Sequence, residues 1–358
     1  MPETTYYILA INPGSTSTKI ALYENEQEKF RESLEHSNAE LARYPTIIAQ
    51  HTMRKETVLA FLHKHAVDEH RLSAVVGRGG LLPPLRSGAY CVNEAMVDRL
   101  CTNPVAEHAA NLGAVIAYDL AAPLGIPAYI YDSVSVDELQ PIARYSGSPE
   151  LPRRSLIHAL NMRAAAIKTA QKLNKPYREM TLIVAHLGGG ISMSVHQGGK
   201  MIDIVSDDEG PFSPERTGRV PCIALAELCY SGKFTQREMI KHLRGKGGLI
   251  AYLNTNKAVD VQKMIAQGNE EARLIFEAMA YQIAKGIGEL ATVVKGRVDR
   301  IVLTGGVACS EMITTWVKER VEFIAPVEIL PGENELESLA LGALRVLQGE
   351  EQAYDYCE

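Results

Sequence analysis

The stretch AINPGSTSTKIALY, residues Ala10–Tyr23, decides the fold of this chain. An apolar run over Tyr6–Ile11 leads into the polar turn Asn12–Ser17, and apolar and β-branched residues follow over Thr18–Tyr23. Short apolar runs on either side of a Pro/Gly/Ser turn are typical of two strands joined by a hairpin. The stretch therefore predicts a strand, a glycine-bearing turn and a second strand at the start of a sheet.

The stretch AHLGGGISMSV, residues Ala185–Val195, has the same layout in the second half of the chain. When Gly14 is aligned with Gly188, Asn12 falls on His186, and each turn lies between an apolar strand and an alternating one. Both halves thus begin a sheet with a polar hairpin. We interpret this as a duplication, in which two similar domains direct two such turns into one cleft.

Outward from these hairpins, the chain alternates between strand-like and helix-like segments, which favours an α/β layer architecture. In the first half the predicted segments are a helical pattern over Tyr44–Val67, a strand over Leu72–Gly77, a helix from Pro104 to about Ala122 and a strand over Ile126–Tyr131. In the second half they are a helix over Ser155–Leu173, strands over Leu182–Ala185, Ile191–Val195, Met201–Val205 and Arg300–Thr304, and helices over Glu270–Lys295, 310–323 and 335–348.

A length of 358 residues indicates two domains. The Pro/Ser/Gly-rich stretch Ser146–Pro152 is the predicted boundary. We therefore expect a first domain over 1–150 and a second over 151–334, with the C-terminal helix, about 335–358, packing back near the first domain.

Composition excludes several classes of protein. With 46% hydrophobic and 22% charged residues the chain is typical of a globular protein, and it has neither an apolar run of membrane-spanning length nor a secretory leader. The net charge of −6, without a basic stripe, argues against nucleic acid as a partner. Six scattered cysteines predict free thiols and a cytoplasmic location.

The turns have the chemistry of phosphate binding. Successive backbone N–H groups in a glycine-bearing turn form a concave donor site for anions. Ser15 and Ser17 add hydroxyl donors and Lys19 adds a charge, although a hairpin stabilised by its own Ser/Thr side chains would look the same. Neither turn matches the P-loop or dinucleotide-binding pattern. The candidate nucleotide-binding residues are Asn12, Ser15, Ser17, Lys19, Gly188, Gly189, Gly190, Gly305 and Gly306.

Six ordered stretches along the whole chain resemble the acetokinase family of the acetate-and-sugar-kinase superfamily, and within it the butyrate and branched-chain fatty-acid kinases. These stretches are Ile11–Tyr23, VGRGGLLPPLRSGAY at Val76–Tyr90, YDSVSVDEL at Tyr131–Leu139, Ala185–Pro221, VLTGGVACSEMI at Val302–Ile313 and PGENELESLALGALRVL at Pro331–Leu347.

The resemblance implies two duplicated actin-like (ribonuclease H-like) domains with a nucleotide cleft between them. It also implies in-line transfer of a phosphoryl group from ATP to a short-chain carboxylate, giving an acyl phosphate and ADP, with Mg²⁺ as the metal. The expected partners are the fatty acid and further copies of the chain, as a dimer or larger homo-oligomer, with no nucleic acid and no membrane.

The resemblance assigns roles to two arginines. Arg78, in a glycine turn after a strand, would hold the substrate carboxylate, with Arg86 as a competing candidate. Arg216 would stabilise the transferring phosphoryl group, because a guanidinium fits its planar oxygens. Without the resemblance, both would be read as ordinary surface or loop arginines.

The resemblance also assigns histidines and carboxylates. His186 would donate to a phosphoryl oxygen and His158 would lie beside the acyl site, although a lone histidine is more often structural. Asp132 would act near the metal, and Glu335 would hold Mg²⁺ through water, because this ion retains much of its hydration. Asp207 and Asp208 are alternative metal carboxylates that a solvated acidic turn would equally explain.

Two positions depart from acetate kinases. Gly189 stands where they carry an asparagine, and Ile157 stands where they place a bulky aromatic residue before the acyl-site histidine. Both departures favour the butyrate branch, since a smaller wall lengthens the acyl pocket. Two alternatives remain: a sugar kinase, which expects an aspartate in place of Asn12, and an ATP-switched actin- or chaperone-like binding protein, which would lack the two arginines.

Overall fold

A computed structural model describes residues 4–357. They divide into two compact units: residues up to Asp137 with those from Asn334 onward, and Glu138–Glu333. Ser146–Pro152, the predicted boundary, lies in the second unit. The strands are β1 (Tyr7–Pro13), β2 (Ser17–Glu24), β3 (Gln27–Glu35), β4 (Ala74–Arg78), β5 (Ala89–Cys91), β6 (Ala128–Tyr131), β7 (Leu182–Leu187), β8 (Ile191–Gln197), β9 (Lys200–Val205), β10 (Arg300–Gly305), β11 (Val327–Pro331) and β12 (Tyr354–Asp355). The helices are α1 (Asn38–Leu41), α2 (His51–Lys64), α3 (Glu94–Thr102), α4 (Asn111–Ala121), α5 (Ala159–Lys172), α6 (Cys222–Tyr230), α7 (Gln236–Leu243), α8 (Leu249–Leu253), α9 (Ala258–Ala266), α10 (Glu270–Val293), α11 (Glu311–Val321) and α12 (Glu335–Leu347).

The first unit is built on a sheet with the strand order β12-β5-β6-β4-β1-β2-β3. Strands β1, β2 and β3 form an antiparallel meander, whereas β4 and β6 run parallel to β1. The central strands β1, β4 and β6 are buried along almost their whole length, as strands covered on both faces are. Helix α12 contacts β1, β4 and β6 of this unit.

The second unit has a five-stranded sheet with the order β11-β10-β7-β8-β9, which corresponds to β6-β4-β1-β2-β3 of the first. Strands β7, β8 and β9 form the antiparallel meander, and β10 and β11 run parallel to β7. Each unit has its own hydrophobic core, in which its helices cover its sheet. The predicted α/β class is confirmed, and each of the two glycine-bearing hairpins opens its sheet.

One predicted helix starts in the wrong place. The helix expected from Pro104 begins at Asn111, and the preceding residues form turns and irregular backbone. Asn111 accepts the N–H of Leu81 at 2.8 Å and donates to the carbonyl of Ala106 at 2.9 Å. Because one side chain anchors two loops, the chain before it follows those contacts rather than a helical path.

Strand β3 and helices α6 to α9 were not predicted at all. Seven of the nine residues of β3 are exposed, so the strand lacks an apolar face that a pattern could reveal. Helix α6 is the opposite case, since eight of its nine residues are apolar and none of them is buried. Among the helices of residues 4–357, none is both long and apolar enough to span a membrane.

Candidate functional site

The first glycine-bearing turn connects β1 to β2. The Gly14 N–H donates to the Ser17 carbonyl at 2.8 Å, which closes the turn. Ser15 and Lys19 are exposed, and Ser17 is half-buried. Lys19 pairs with Asn12 across the hairpin, so both side chains project from the same face. The predicted hydroxyls and charge therefore lie around a single turn.

A buried arginine that the sequence analysis missed holds this turn from inside the unit. Arg54, on α2, is fully buried and donates to the Ser17 carbonyl at 2.8 Å and to the Ser15 carbonyl at 3.2 Å. Gln50 accepts from the same guanidinium, and burial lowers the pKa of Arg54. The spacing could have revealed it, since Arg54 lies one helical turn before Val58 on an apolar face.

The end of β4 carries a compact polar cluster. Arg78 is the last residue of β4, which runs parallel to β1, and Glu335 is the first residue of α12. Arg78 Nη1 lies 2.8 Å from Glu335 Oε1 and 3.4 Å from Asn12 Oδ1. Asn12 Nδ2 donates to the second carboxylate oxygen of Glu335. Arg86, the competing arginine, is exposed in the loop before β5.

The loop after Arg78 is fixed by close backbone approach. A Cβ on Gly79 would lie 2.6 Å from Ser133 Cβ, and one on Gly80 would lie 2.5 Å from Asn111 Oδ1. The Gly80 carbonyl also accepts the Ser133 hydroxyl at 2.8 Å. The glycines therefore allow the segment that follows Arg78 to pack against the segment that follows β6.

Asp132 directly follows β6 and is buried. Its Oδ1 accepts the Gly88 N–H at 2.7 Å, and its own N–H donates to the Gly88 carbonyl at 3.1 Å. Its φ of 41° lies in the left-handed region, which residues other than glycine adopt at a cost of roughly 1–3 kcal/mol. A reciprocal pair with Gly88 stabilises this conformation, so the carboxylate has a defined direction.

These carboxylates fit a magnesium ion better than they fit a fully protein-bound metal. In the described part of the chain, no group of three or more His, Cys, Asp or Glu side chains has an arrangement that could hold a metal ion. Mg²⁺ is commonly held by one or two carboxylates, with phosphate and water oxygens completing its shell. Asp132 and Glu335 supply such oxygens in the first unit, which matches that donor set.

In the second unit, His186 is the next-to-last residue of β7 and lies in a buried polar network. Asn161 Oδ1 lies 2.9 Å from His186 Nδ1 and already accepts the Thr304 hydroxyl at 3.2 Å. The amide oxygen of Asn161 can only accept a hydrogen bond, so His186 Nδ1 carries the hydrogen. The other ring nitrogen, Nε2, lies 3.3 Å from Glu333 Oε1. Asn161, Thr304 and Glu333 were not predicted, since nothing in their spacing distinguishes them.

His158 stacks on His186 with ring centroids 4.0 Å apart and an interplanar angle of 15°. Its Nδ1 lies 2.8 Å from the Ser192 hydroxyl, and it immediately precedes α5. Ile157, just before it, is buried. The structure thus brings the two predicted histidines into direct contact within one unit.

The second glycine-bearing turn is held by a loop of the same unit. The Gly188 N–H donates to the Gly190 carbonyl at 3.1 Å. The Gly189 carbonyl accepts the Ser213 hydroxyl at 2.6 Å and the Glu215 N–H at 3.2 Å. These bonds occupy the turn's inward-facing oxygen, so the loop and the turn form a single structural element.

Arg216, in that loop, lies against the turn. A Cβ on Gly190 would meet its guanidinium, with Cζ only 2.5 Å away. Asp207, which is buried, forms an ion pair with Arg216 and accepts from Arg244 Nη2 at 2.9 Å. Burial, and then the charge of Arg244, lower the pKa of Arg216 to about 10, which leaves it protonated at neutral pH.

The two alternative metal carboxylates differ in their surroundings. The oxygens of Asp207 contact the two guanidinium groups, so this carboxylate orients arginines. Asp208 is exposed and accepts the Ser206 hydroxyl. Within the residues that the structure covers, neither aspartate belongs to a group of three or more such side chains that could hold a metal ion.

The third turn follows β10. Gly305 has a φ of 90°, and a Cβ there would lie 2.5 Å from the Leu187 carbonyl oxygen. Gly305 and Gly332 exchange backbone hydrogen bonds of 3.2 and 3.0 Å. Gly306, by contrast, is exposed, and a Cβ would meet nothing within 4 Å. Only glycine fits the first position, while the backbone at the second is exposed and has open space beside it.

Comparison with known protein families gives a match over the second half of the chain. The sequence model of the acetokinase family matches residues 149–339, slightly more than half of the chain. This match includes all the residues that build the second unit's turns and both of its predicted histidines.

Solved structures share the fold over nearly the whole chain. An acetate kinase from Porphyromonas gingivalis superimposes with a TM-score of 0.80 at 19% identity, covering 96% of this chain and 100% of that one. A propionate kinase from Francisella tularensis subsp. tularensis gives 0.74 at 16% identity, covering 94% and 98%. An acetate kinase from Entamoeba histolytica gives 0.76 at 16% identity, covering 95% and 99%.

Proposed function

The chain belongs to the acetokinase family, and from that premise we propose that it transfers the γ-phosphoryl group of ATP to a short-chain carboxylate. The products are an acyl phosphate and ADP, and the reaction runs in both directions. The proposed acceptor is butyrate or a branched-chain analogue. The observation that carries the proposal is the guanidinium of Arg216 lying against Gly190, in a glycine turn that follows the strand carrying His186.

The reaction needs no general base. A fatty-acid carboxyl group has a pKa near that of Glu, about 4.3, so it is already an anionic nucleophile at neutral pH. One carboxylate oxygen forms a bond to the γ-phosphorus while the bond from that phosphorus to the β,γ-bridging oxygen breaks, and ADP leaves with the electron pair. The protein has to bring two anions together and neutralise their charge.

In the first unit, we assign Arg78 to the substrate carboxylate, because a guanidinium binds a carboxylate through two parallel hydrogen bonds. Asn12, Ser15, Ser17 and Lys19 would bind phosphate oxygens around the first turn. Asp132 and Glu335 would hold Mg²⁺, which neutralises charge on the phosphate oxygens when it is bound.

In the second unit, Arg216 would stabilise the negative charge on the transferring phosphoryl group, and Asp207 orients its guanidinium. His186 would donate to a phosphoryl oxygen through Nε2 in its protonated form, in which both ring nitrogens carry hydrogen and Nδ1 donates to Asn161. His158 supports the His186 ring by stacking. The open backbone at Gly306 would pack against the nucleoside.

The proposed preference for a four-carbon acid rests on two residues, each smaller than the residue that acetate kinases carry at the same position. Gly189 is exposed, and a Cβ there would lie 3.4 Å from the Glu215 carboxyl, an ordinary contact. Ile157 takes less volume than an aromatic residue would beside His158. Each additional buried CH₂ contributes about 0.8 kcal/mol, so activity should rise in steps with chain length until the pocket is full.

The test is acyl phosphate formation trapped as hydroxamate. The enzyme is incubated with ATP-Mg²⁺ and acetate, propionate, butyrate, isobutyrate or valerate in parallel, while glycerol and a hexose are scored by ADP release. We expect a signal that peaks at four or five carbons. ADP release with a polyol, and none of the hydroxamate, would overturn the assignment in favour of a sugar kinase.

Two substitutions separate the origins of chain-length preference. Ile157→Phe fills space beside His158 and should shift the optimum toward acetate, whereas Gly189→Asn restores the amide that acetate kinases carry. If only Gly189→Asn moves the optimum, the turn sets the preference and the assignment to Ile157 is wrong.

A further inference from the structure

The C-terminal segment of the chain is built into the sheet of the first unit. Strand β12 pairs parallel with β5, with Tyr354 opposite Tyr90 and Asp355 opposite Cys91. Tyr356 is buried in the hydrophobic core, and its carbonyl accepts Asn93 Nδ2 at 2.9 Å. The segment after α12 is therefore a structural strand rather than a loose tail.

A buried polar network connects this segment to the end of β6. The Tyr131 side chain is fully buried, and its hydroxyl donates to Glu351 Oε2 at 2.6 Å. Arg345, in the last turn of α12, donates to the Tyr131 hydroxyl at 2.7 Å and lies 3.3 Å from Glu351 Oε2. Tyr131, Glu351 and Arg345 thus satisfy one another's polar groups, and Tyr131 directly precedes Asp132 in the chain.

The same segment touches Asp132 by a second route, through Gly88. A Cβ on Gly88 would lie 2.9 Å from Glu351 Oε1, so the glutamate packs directly against this glycine. Gly88 in turn exchanges two hydrogen bonds with Asp132, one of them to the carboxylate. Its φ of 113° makes glycine necessary there.

Helix α12 packs against Tyr131 and carries both Arg345 and Glu335. It begins at Glu335 and carries Arg345 ten residues later on the chain, and Gly342 between them lets the helix touch the Tyr131 ring, with 2.5 Å from a Cβ position to Cγ. One helix therefore supports both carboxylates that the first unit offers to a metal: Glu335 as its own first residue, and Asp132 through Tyr131.

We propose that Glu351, with Arg345 and Tyr131, forms a positioning network that fixes the Asp132 carboxylate for phosphoryl transfer. The assignment rests on the proposed function, because it gives Asp132 its role. Glu351 touches neither substrate nor metal in this proposal. It acts by holding Tyr131 on one side of Asp132 and Gly88 on the other.

The first test compares Glu351→Ala with its neighbour Glu350→Ala, since Glu350 is exposed and lies outside the network. Tyr131→Phe, which keeps the buried ring and removes the hydroxyl, is the second network variant. We expect Glu351→Ala and Tyr131→Phe each to lower kcat about tenfold with the KM for the carboxylate changed less than twofold, because misplacement of a group by about 1 Å costs up to 10²-fold in rate. Unchanged kcat in both network variants would overturn the proposal.

A double-mutant cycle with Asp132→Asn distinguishes positioning from general damage. If Glu351 acts through the Asp132 carboxylate, Glu351→Ala should lower kcat in the parent enzyme and have little further effect in the Asp132→Asn background. Equal losses in both backgrounds would show that Glu351 acts by another path and would overturn the proposal.

A readout without turnover keeps this inference separate from the proposed function. Hydrogen exchange of the Asp132 amide, which is bonded to the Gly88 carbonyl, should become at least tenfold faster in Glu351→Ala and Tyr131→Phe and stay unchanged in Glu350→Ala. An enzyme that forms no acyl phosphate but shows this change would refute the proposed function alone. Unchanged exchange in an active enzyme would refute the positioning network alone.

Discussion

The two glycine-bearing turns have the same position in their sheets but are supported by different means. In the first unit, the carbonyls of Ser15 and Ser17 are bound by Arg54, a fully buried side chain from α2. In the second, the Gly189 carbonyl is bound by Ser213 and Glu215, whose loop also carries the proposed catalytic Arg216. The two units thus share a glycine-bearing turn at the same place in the sheet, while different groups bind its carbonyls.

In the first turn, the residue that provides structural support is separate from the residues proposed to bind phosphate. In the second turn, the supporting loop also carries the proposed catalytic arginine. Arg54 is fully buried and its guanidinium is occupied by the turn carbonyls and Gln50, so we expect its contribution to be structural. The loop that supports the second turn also sets where the guanidinium of Arg216 lies. Damage to the first support should therefore be measured mainly as lost stability, and damage to the second as lost rate.

The largest effect is expected for Arg216→Ala. Its interaction with the phosphoryl group is made mainly in the transition state, so kcat should fall about 10³-fold while the KM for ATP changes little. Hydroxamate formation at saturating ATP and butyrate measures it. The matched control is Arg219→Ala, because Arg219 is exposed and pairs with Glu289 at 3.0 Å. A normal turnover number in Arg216→Ala would contradict the role.

Arg54→Met tests the support of the first turn. The substitution keeps an unbranched side chain but leaves two backbone carbonyls and Gln50 without their buried donor, which should lower the free energy of unfolding by about 3 kcal/mol. Urea denaturation measures it. Lys55→Met, one position along, removes only a half-exposed contact with Asp119 and should cost under about 1 kcal/mol. Equal losses in both variants would argue against a specific support.

Gly190→Ala and Gly189→Ala form a matched pair in the second turn. A Cβ at Gly190 meets the Arg216 guanidinium, whereas one at Gly189 lies 3.4 Å from the Glu215 carboxyl. We expect Gly190→Ala to reduce kcat roughly tenfold by displacing Arg216, and Gly189→Ala to change it less than about threefold. The reverse ranking would mean that the turn and Arg216 are not coupled.

Stability in acid depends on a buried histidine of the second hairpin. His196, on β8, is fully buried between Tyr177 and Ser194, and burial followed by the charge of Arg163 lowers its pKa to about 3. In the unfolded chain this histidine takes up a proton near pH 6.5, whereas in the folded protein it stays neutral down to about pH 3. Its contribution to stability is therefore complete above about pH 6.5. It is lost as pH falls from about 6.5 to about 3, at about 1.4 kcal/mol per pH unit.

Unfolding by urea at pH 7 and pH 5 measures that loss in the parent protein, in His196→Gln and in His70→Gln. His70 is exposed. The loss between the two pH values should be smaller in His196→Gln than in the other two proteins. The same slope in all three would exclude His196 as its source.

Much of the fold could be predicted from the sequence, because the central strands are continuous apolar runs ending in glycine turns. The misses have local causes. The helix expected from Pro104 begins at Asn111, where one side chain bonds two loops, and the exposed strand β3 has no apolar face. Helix α6 is apolar without being buried, so hydrophobicity gave no amphipathic pattern from which to place it.

The candidate site divides in the same way. Arg78, Asp132, His186 and Arg216 were assigned roles by the resemblance to the acetokinase family, because their position at strand ends and in loops does not by itself distinguish them from structural residues. Their partners Asn161 and Asp207 did not stand out as partners, since the contacts join residues far apart in the chain. Arg54 is intermediate: its spacing places a charge on an apolar face, but nothing in the spacing says which carbonyls it binds.

By itself the sequence determined the α/β class, the two glycine-bearing hairpins and the residue types available for phosphate chemistry, because these depend on local periodicity and turn propensity. Only the tertiary structure decided which groups meet: Arg54 with the first turn, Arg216 with Gly190, and Glu351 with Tyr131. Such contacts depend on how helices pack across a sheet. Burial then makes each of them selective, because a buried polar group must find a partner or lose several kcal/mol, on the order of 2–7.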